Sequence, residues 1–351
     1  MTVSAAAGRP IAPVLVLSTG RCGSTMLSDL LNRHRDILSL SEFFVPLGQE
    51  AFIWKNPDGA RFWRLLSEQG PAMRATLRAG RVVDEALYPY DKPGQRFTAQ
   101  TMPPVMAVSL PHLTPDYEAL YDQLAAEVPS WPRRPLADQY RAFFEHLRGR
   151  FGRRVWIERS GGSLMLAAKL LRLFPDARVI HVFRDGRDTA MSMAQHHNFR
   201  VLAGLSLACR RVGLNPWARA LSPTVGHAEA LGYRLMLRLL DTGRLDREGL
   251  PLAEFGRLWS QLIETGDAVL RTLPPDRLLT VRIEDLQNSP RDELRRLIRF
   301  VDPSLEDEGW LDAVSPIPRP AKPRFTGLPP DQLRALTDAC APGLDLLGYG
   351  R

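Results

Sequence analysis

Cysteine is scarce in this chain: Cys22, Cys209 and Cys340 are the only three in 351 residues. They set up neither a disulfide framework nor a cluster with metal-ligand spacing, so a reduced, cytoplasmic setting is expected. Lysine is nearly as rare. Lys55, Lys92, Lys169 and Lys322 leave 42 of the 46 basic residues as arginine, a skew given little functional weight. No apolar run approaches the ~20 residues of a membrane-spanning helix. The opening "MTVSAAAGRPIAPVLVLS" lacks a basic segment followed by a long apolar one, so no signal peptide is expected. Repeats, low-complexity tracts and Gly/Ser linkers are also missing. One domain over residues 1–351, with no stable membrane insertion, is the expectation.

What is present is enough for a substantial core. Hydrophobic residues make up 44% and charged residues 24% of the chain, ordinary values for a globular protein. The net charge of +7 suits an anionic substrate, a nucleic acid or an anionic surface, without choosing among them. Apolar runs at 13–19, 154–159, 177–183 and 277–283 read as strands buried on both faces, the mark of a parallel sheet. Helical patterns alternate with them, which predicts a three-layer, doubly wound α/β fold. Two segments, 43–150 and 197–252, break the alternation and read as helical insertions. The first is rich in aromatics, which form either the wall of an acceptor pocket or the core of a helical subdomain.

The first strand runs into "STGRCGST". Gly20 and Gly23 allow close backbone approach to an anion, Ser24 and Thr25 add hydroxyls, Cys22 is a small residue in the loop, and Arg21 supplies a fixed cation. A nucleotide-triphosphate loop would carry lysine after its last glycine, and Ser24 stands there instead. That absence counts against an ATP-dependent phosphotransferase. The stretch "RVIHVFRDGRDTAMSM" repeats the strand–turn–helix design. Arg184 emerges at a strand end, Asp188 or Thr189 is expected to cap the next helix, and Ser192 lies on its second turn. Arg184 and Ser192 together fit a phosphate clamp; an ion pair of Arg184 with Asp185 or Asp188 is the plainer reading.

The two elements in this order resemble the sulfotransferase family that uses 3′-phosphoadenylyl sulfate (PAPS). "STGRCGST" is similar to that family's 5′-phosphosulfate loop, and Arg184 with Ser192, eight residues apart, to its 3′-phosphate motif. The likeness extends through the helix bearing Trp259, the "IEDL" turn at 283–286 and the ending "LLGYG". It implies a P-loop-like sulfotransferase fold, PAPS as co-substrate, adenosine 3′,5′-bisphosphate as product, and no metal. Cytosolic members close the 3′-phosphate site with a late "RKGxxGxW" segment. Here "RPAKPRFTGL" offers Arg319, Lys322 and Arg324 as loose analogues.

An acceptor hydroxyl or amine needs a base within hydrogen-bond reach. Glu42, in "ILSLSEFF", follows a strand-like segment 21 residues after Arg21, the same distance as the catalytic glutamate in the tyrosylprotein branch of the family. Phe43 and Phe44 beside it are expected to desolvate it. His112, His196 and His197 are rivals. The expected partner is a small-molecule, lipid or phenolic acceptor, with no nucleic acid. A non-catalytic basic protein that binds an anion or nucleotide is the alternative from another class.

Overall fold

Alternate residues of the strands feed two separate cores, which is why the strand sequences are largely apolar. In this computed structural model, which describes residues 11–78, 85–215, 217, 221–226, 231, 232, 235 and 249–350, five strands form one sheet. They are β1 (Val14–Ser18), β2 (Ile37–Ser41), β3 (Val155–Arg159), β4 (Arg178–Phe183) and β5 (Leu278–Arg282). Every neighbouring pair is parallel, in the order β2-β3-β1-β4-β5. Val14, Val16, Ile157, Ile180 and Val281 pack on one face against the helices Ser24–Asn32, Pro290–Val301 and Glu308–Val314. Leu15, Leu17, Leu38, Leu40, Trp156 and Val179 face the opposite core. There the helices Leu136–Arg150, Gly186–Ala194, Leu252–Leu270 and Pro330–Leu347 cover the sheet. The three-layer α/β expectation holds.

The helix pair Leu252–Leu270 and Pro330–Leu347 shows how closely this layer is fitted. Pro342 interrupts the second helix, and a proline frees backbone groups that must find other partners. Ser260 of the neighbouring helix bonds beside it: its hydroxyl donates to the Ala339 carbonyl at 3.1 Å and accepts the Gly343 N–H at 3.3 Å.

The aromatic insertion folds as a helical subdomain on the β2–β3 side. Phe43, Phe44, Phe62, Tyr88, Tyr140, Phe143 and Phe144 are fully buried and meet mostly edge to face, as their ring quadrupoles favour. Most of its aromatics are therefore core. Of the second insertion, the helix His197–Arg211 is described, whereas 227–230, 233, 234 and 236–248 lie outside the described residues. Among the described residues no helix is long and apolar enough to cross a membrane.

Candidate active site

Parallel pairing lines up the carboxyl ends of the strands. Val16 pairs with Arg159, Ser18 with Val182 and Ser41 with Arg159, so Arg21, Arg159, Arg184 and Glu42 leave one edge of the sheet. The turn after β1 is built from left-handed residues: Gly20 (φ 77°), Arg21 (φ 58°) and Gly23 (φ 89°), the last being the cap of the helix Ser24–Asn32. Its first-turn N–H groups have no intrahelical partner and carry the positive end of the helix dipole. Gly20 is doubly required. A Cβ there would lie 2.7 Å from Phe199 and 3.1 Å from the Gly162 nitrogen.

Among the described residues, only Arg21 and Glu42 (φ 51°) hold a left-handed backbone without being glycine. Such a conformation costs on the order of 1 kcal/mol or more and clusters where function over-determines the backbone. Both are residues that the sequence singles out.

Inside the loop the hydroxyls serve the backbone. Ser18 Oγ accepts the Gly20 N–H at 3.2 Å and donates to Ser24 Oγ at 3.3 Å, while Thr25 is exposed. Cys22 points the other way. Its buried thiol donates to the Val182 carbonyl at 3.5 Å, and burial pushes its pKa up, where a helix end and an arginine would have lowered it. Only its backbone is left for an anion.

In the second element the cap differs from expectation. Asp185, not Asp188 or Thr189, caps the helix Gly186–Ala194 by accepting the Arg187 N–H at 2.9 Å. Asp188 is buried and does something else. It accepts Arg184 Nη2 at 2.6 Å and the Arg324 N–H at 2.8 Å, so the late basic segment is fastened beside Arg184. The ion-pair reading of Arg184 is thus correct for this side chain, and Arg324 is brought to it; Arg319 and Lys322 are exposed on the approach. Glu284 of the "IEDL" segment braces the turn from behind, accepting the Asp185 N–H and the Tyr349 hydroxyl, each at 2.9 Å.

The two elements touch. Arg21 Nε donates to Ser192 Oγ at 3.3 Å, across 171 positions of chain.

Glu42 is only 5% exposed. Its carboxylate pairs with Arg159 and accepts the Gly161 N–H at 3.0 Å. Burial raises its pKa above the ordinary carboxylate value, Arg159 opposes the rise, and the nearby Glu85 carboxyl adds to it. Phe43 and Phe44 turn into the aromatic core, while Arg159, Gly161 and Glu85 are the polar groups that act on the carboxylate. Glu158 lies behind, fully buried, with its carboxyl pushed up to about 8 by burial. His112 is brought to the same region: Arg159 acts on it electrostatically, and Asp29 lies 3.8 Å from its Nδ1. Burial lowers its pKa to about 4. His196 caps the helix His197–Arg211 and packs against Phe199, and His197 is buried at its first position.

Sequence reasoning passed over Arg159, Glu158 and Glu85. Arg159 had a readable signal, an arginine closing an apolar strand in "VWIERSGG", the pattern that marked Arg184. Two of its nitrogens, Nε and Nη2, are buried with no hydrogen-bond partner among the described residues.

A sequence profile of the sulfotransferase family matches residues 13–239. The chain belongs to that family. No curated protein is a significant sequence match. Solved sulfotransferases align along nearly the whole chain at low identity. The sulfotransferase domain from the curacin biosynthetic pathway is 15% identical, with 98% of this chain and 99% of that one covered and a TM-score of 0.46. The sulfotransferase domain of the Synechococcus PCC 7002 olefin synthase is 16% identical, with 100% and 99% covered and a TM-score of 0.43. Sulfotransferase STF9 from Mycobacterium avium is 16% identical, with 98% and 78% covered and a TM-score of 0.43.

Proposed function

We propose that this sulfotransferase moves a sulfuryl group from PAPS to a hydroxyl or amine of a small acceptor by in-line displacement, with Glu42 as base. The observation that carries the reading is the Arg21–Ser192 hydrogen bond. It brings the two strand–turn–helix turns into direct contact, which supports a single ligand with phosphates on both sides of its ribose.

The division of labour follows from the chemistry. Sulfuryl transfer, like phosphoryl transfer, leaves a protein mainly positioning and charge stabilisation to perform. Arg21 and the N–H groups at the start of the helix Ser24–Asn32 are aimed at charge developing on the 5′-phosphate oxygen. Arg184 and Ser192 hold the 3′-phosphate, with Arg324 fastened beside Arg184 through Asp188. Glu42 takes the acceptor's proton; burial tunes it toward a working base, whereas His112, pushed to about 4, is too weak a base to compete. The insertion 43–150 supplies His112 and Glu85 to this cleft, which supports its role as the acceptor-side wall. A small lipid, phenol or other metabolite is the acceptor class proposed.

The test is ligand-induced stabilisation followed by transfer. Adenosine 3′,5′-bisphosphate should raise the melting temperature selectively, and Arg184→Ala should lose most of that shift. Labelled PAPS with an acceptor panel should then give a sulfated product that mass spectrometry identifies. An equal response to ATP, or a response to polynucleotide alone, would overturn the proposal.

A further inference from the structure

We propose that Glu85 is a built-in counter-anion of the donor site, holding Arg21 until the phosphosulfate end of the donor displaces it. The inference rests on the donor reading above. Glu85 Oε1 lies 2.9 Å from Arg21 Nη1, and the two side chains are 31% and 32% exposed, so the pair is partly open to solvent. With Nε on Ser192 and Nη1 on Glu85, the guanidinium already carries a carboxylate where an incoming anion must bind.

Two further features make the contact displaceable. First, Glu85 stands in negative company: its carboxyl bears on Glu42 and on Asp29, raising the pKa of each. Ion pairs this exposed are weak, and like charges nearby weaken them further. Second, the arm that carries Glu85 is anchored close behind it. Leu87 and Tyr88 donate their N–H groups to the Ala107 carbonyl at 2.7 and 3.3 Å, and the buried Tyr88 hydroxyl donates to Glu118 at 2.8 Å. The carboxylate can therefore swing off Arg21 without disturbing the subdomain.

The test is calorimetric titration of adenosine 3′,5′-bisphosphate into the wild-type protein and Glu85→Gln at low ionic strength. Removing the competing charge should tighten binding by about 3- to 10-fold, and the gain should shrink as salt is added. Glu85→Asp, which keeps the charge, should bind with nearly wild-type affinity. A residue that merely holds Arg21 in place would give the opposite sign, so weaker or unchanged binding in Glu85→Gln overturns the proposal. If the nucleotide binds neither protein, the donor reading itself falls, and this inference with it.

Discussion

Glu42 shows how much one residue is asked to do. Its backbone is held left-handed, its carboxylate is buried against Arg159, and its pKa is raised by burial despite that cation. Glu42→Gln keeps the shape and the Gly161 hydrogen bond but removes the proposed base. Turnover should fall at least ~10²-fold, while affinity for adenosine 3′,5′-bisphosphate stays nearly unchanged; single-turnover transfer measured beside nucleotide titration separates the two. Near-normal turnover would assign the proton to another group. At this scale the sequence was readable wherever a residue stood in a strand-end motif. Arg21 and Arg184 are singled out at strand ends, and Ser192 on the second helical turn after Arg184. Glu42 is singled out by a strand end together with its distance from Arg21 in the family resemblance. The structure brings Arg21 against Ser192. Glu85 had no such frame. Its contact with Arg21 spans 64 positions and exists only because the aromatic subdomain folds back over the loop.

At the scale of elements, the helix Gly186–Ala194 is tightly constrained. Its first residue lies against Trp259, and a Cβ on Gly186 would come within 2.3 Å of that ring. Gly186→Ala should cost about 1–3 kcal/mol, the usual range for overpacking, and should also loosen nucleotide binding through Arg184. Denaturant unfolding with and without adenosine 3′,5′-bisphosphate reads both. The strands apolar on both faces were legible because burial on two sides removes polar residues from the sequence. β2 was harder, since "ILSLS" carries two serines; Ser39 fits by donating to the Ser28 carbonyl at 3.0 Å. The helical pattern after β3 also concealed a break. Residues 163–166 form a 3₁₀ turn before the helix Ala167–Leu173. Ser163 causes it, donating to Val16 O at 3.2 Å and accepting the Ser18 N–H at 3.4 Å, so the chain is tied to β1 before it can coil regularly. Periodicity along one segment cannot register a tie to another.

Across the whole molecule, buried acids and buried imidazoles set a pH window. His112 and His181 are held near 4, below their ordinary 6.5, so the unfolded chain binds more protons between those values and stability rises with pH there. Glu158 is pushed from 4.5 to about 8. The folded chain keeps a proton that the unfolded chain releases, so this contribution is complete below 4.5 and declines as pH rises toward 8. Above pH 6.5 the histidines no longer compensate, and stability should fall by on the order of a few kcal/mol by pH 8. Chemical unfolding on either side of that interval checks it, and Glu158→Gln should flatten the slope. Part of the basic surface, by contrast, is locally neutralised. Arg291, Arg295 and Arg299 pair with Glu306, Glu308 and Asp312 rather than forming a stripe for a polyanion. The last turn of the chain carries a practical lesson. Tyr349 hydrogen-bonds Glu284, and the Gly350 carbonyl accepts Arg187 at 3.1 Å, so both are wired to the segment that presents Arg184. Trimming those residues, or hanging a purification handle on them, would disturb the segment that carries Arg184.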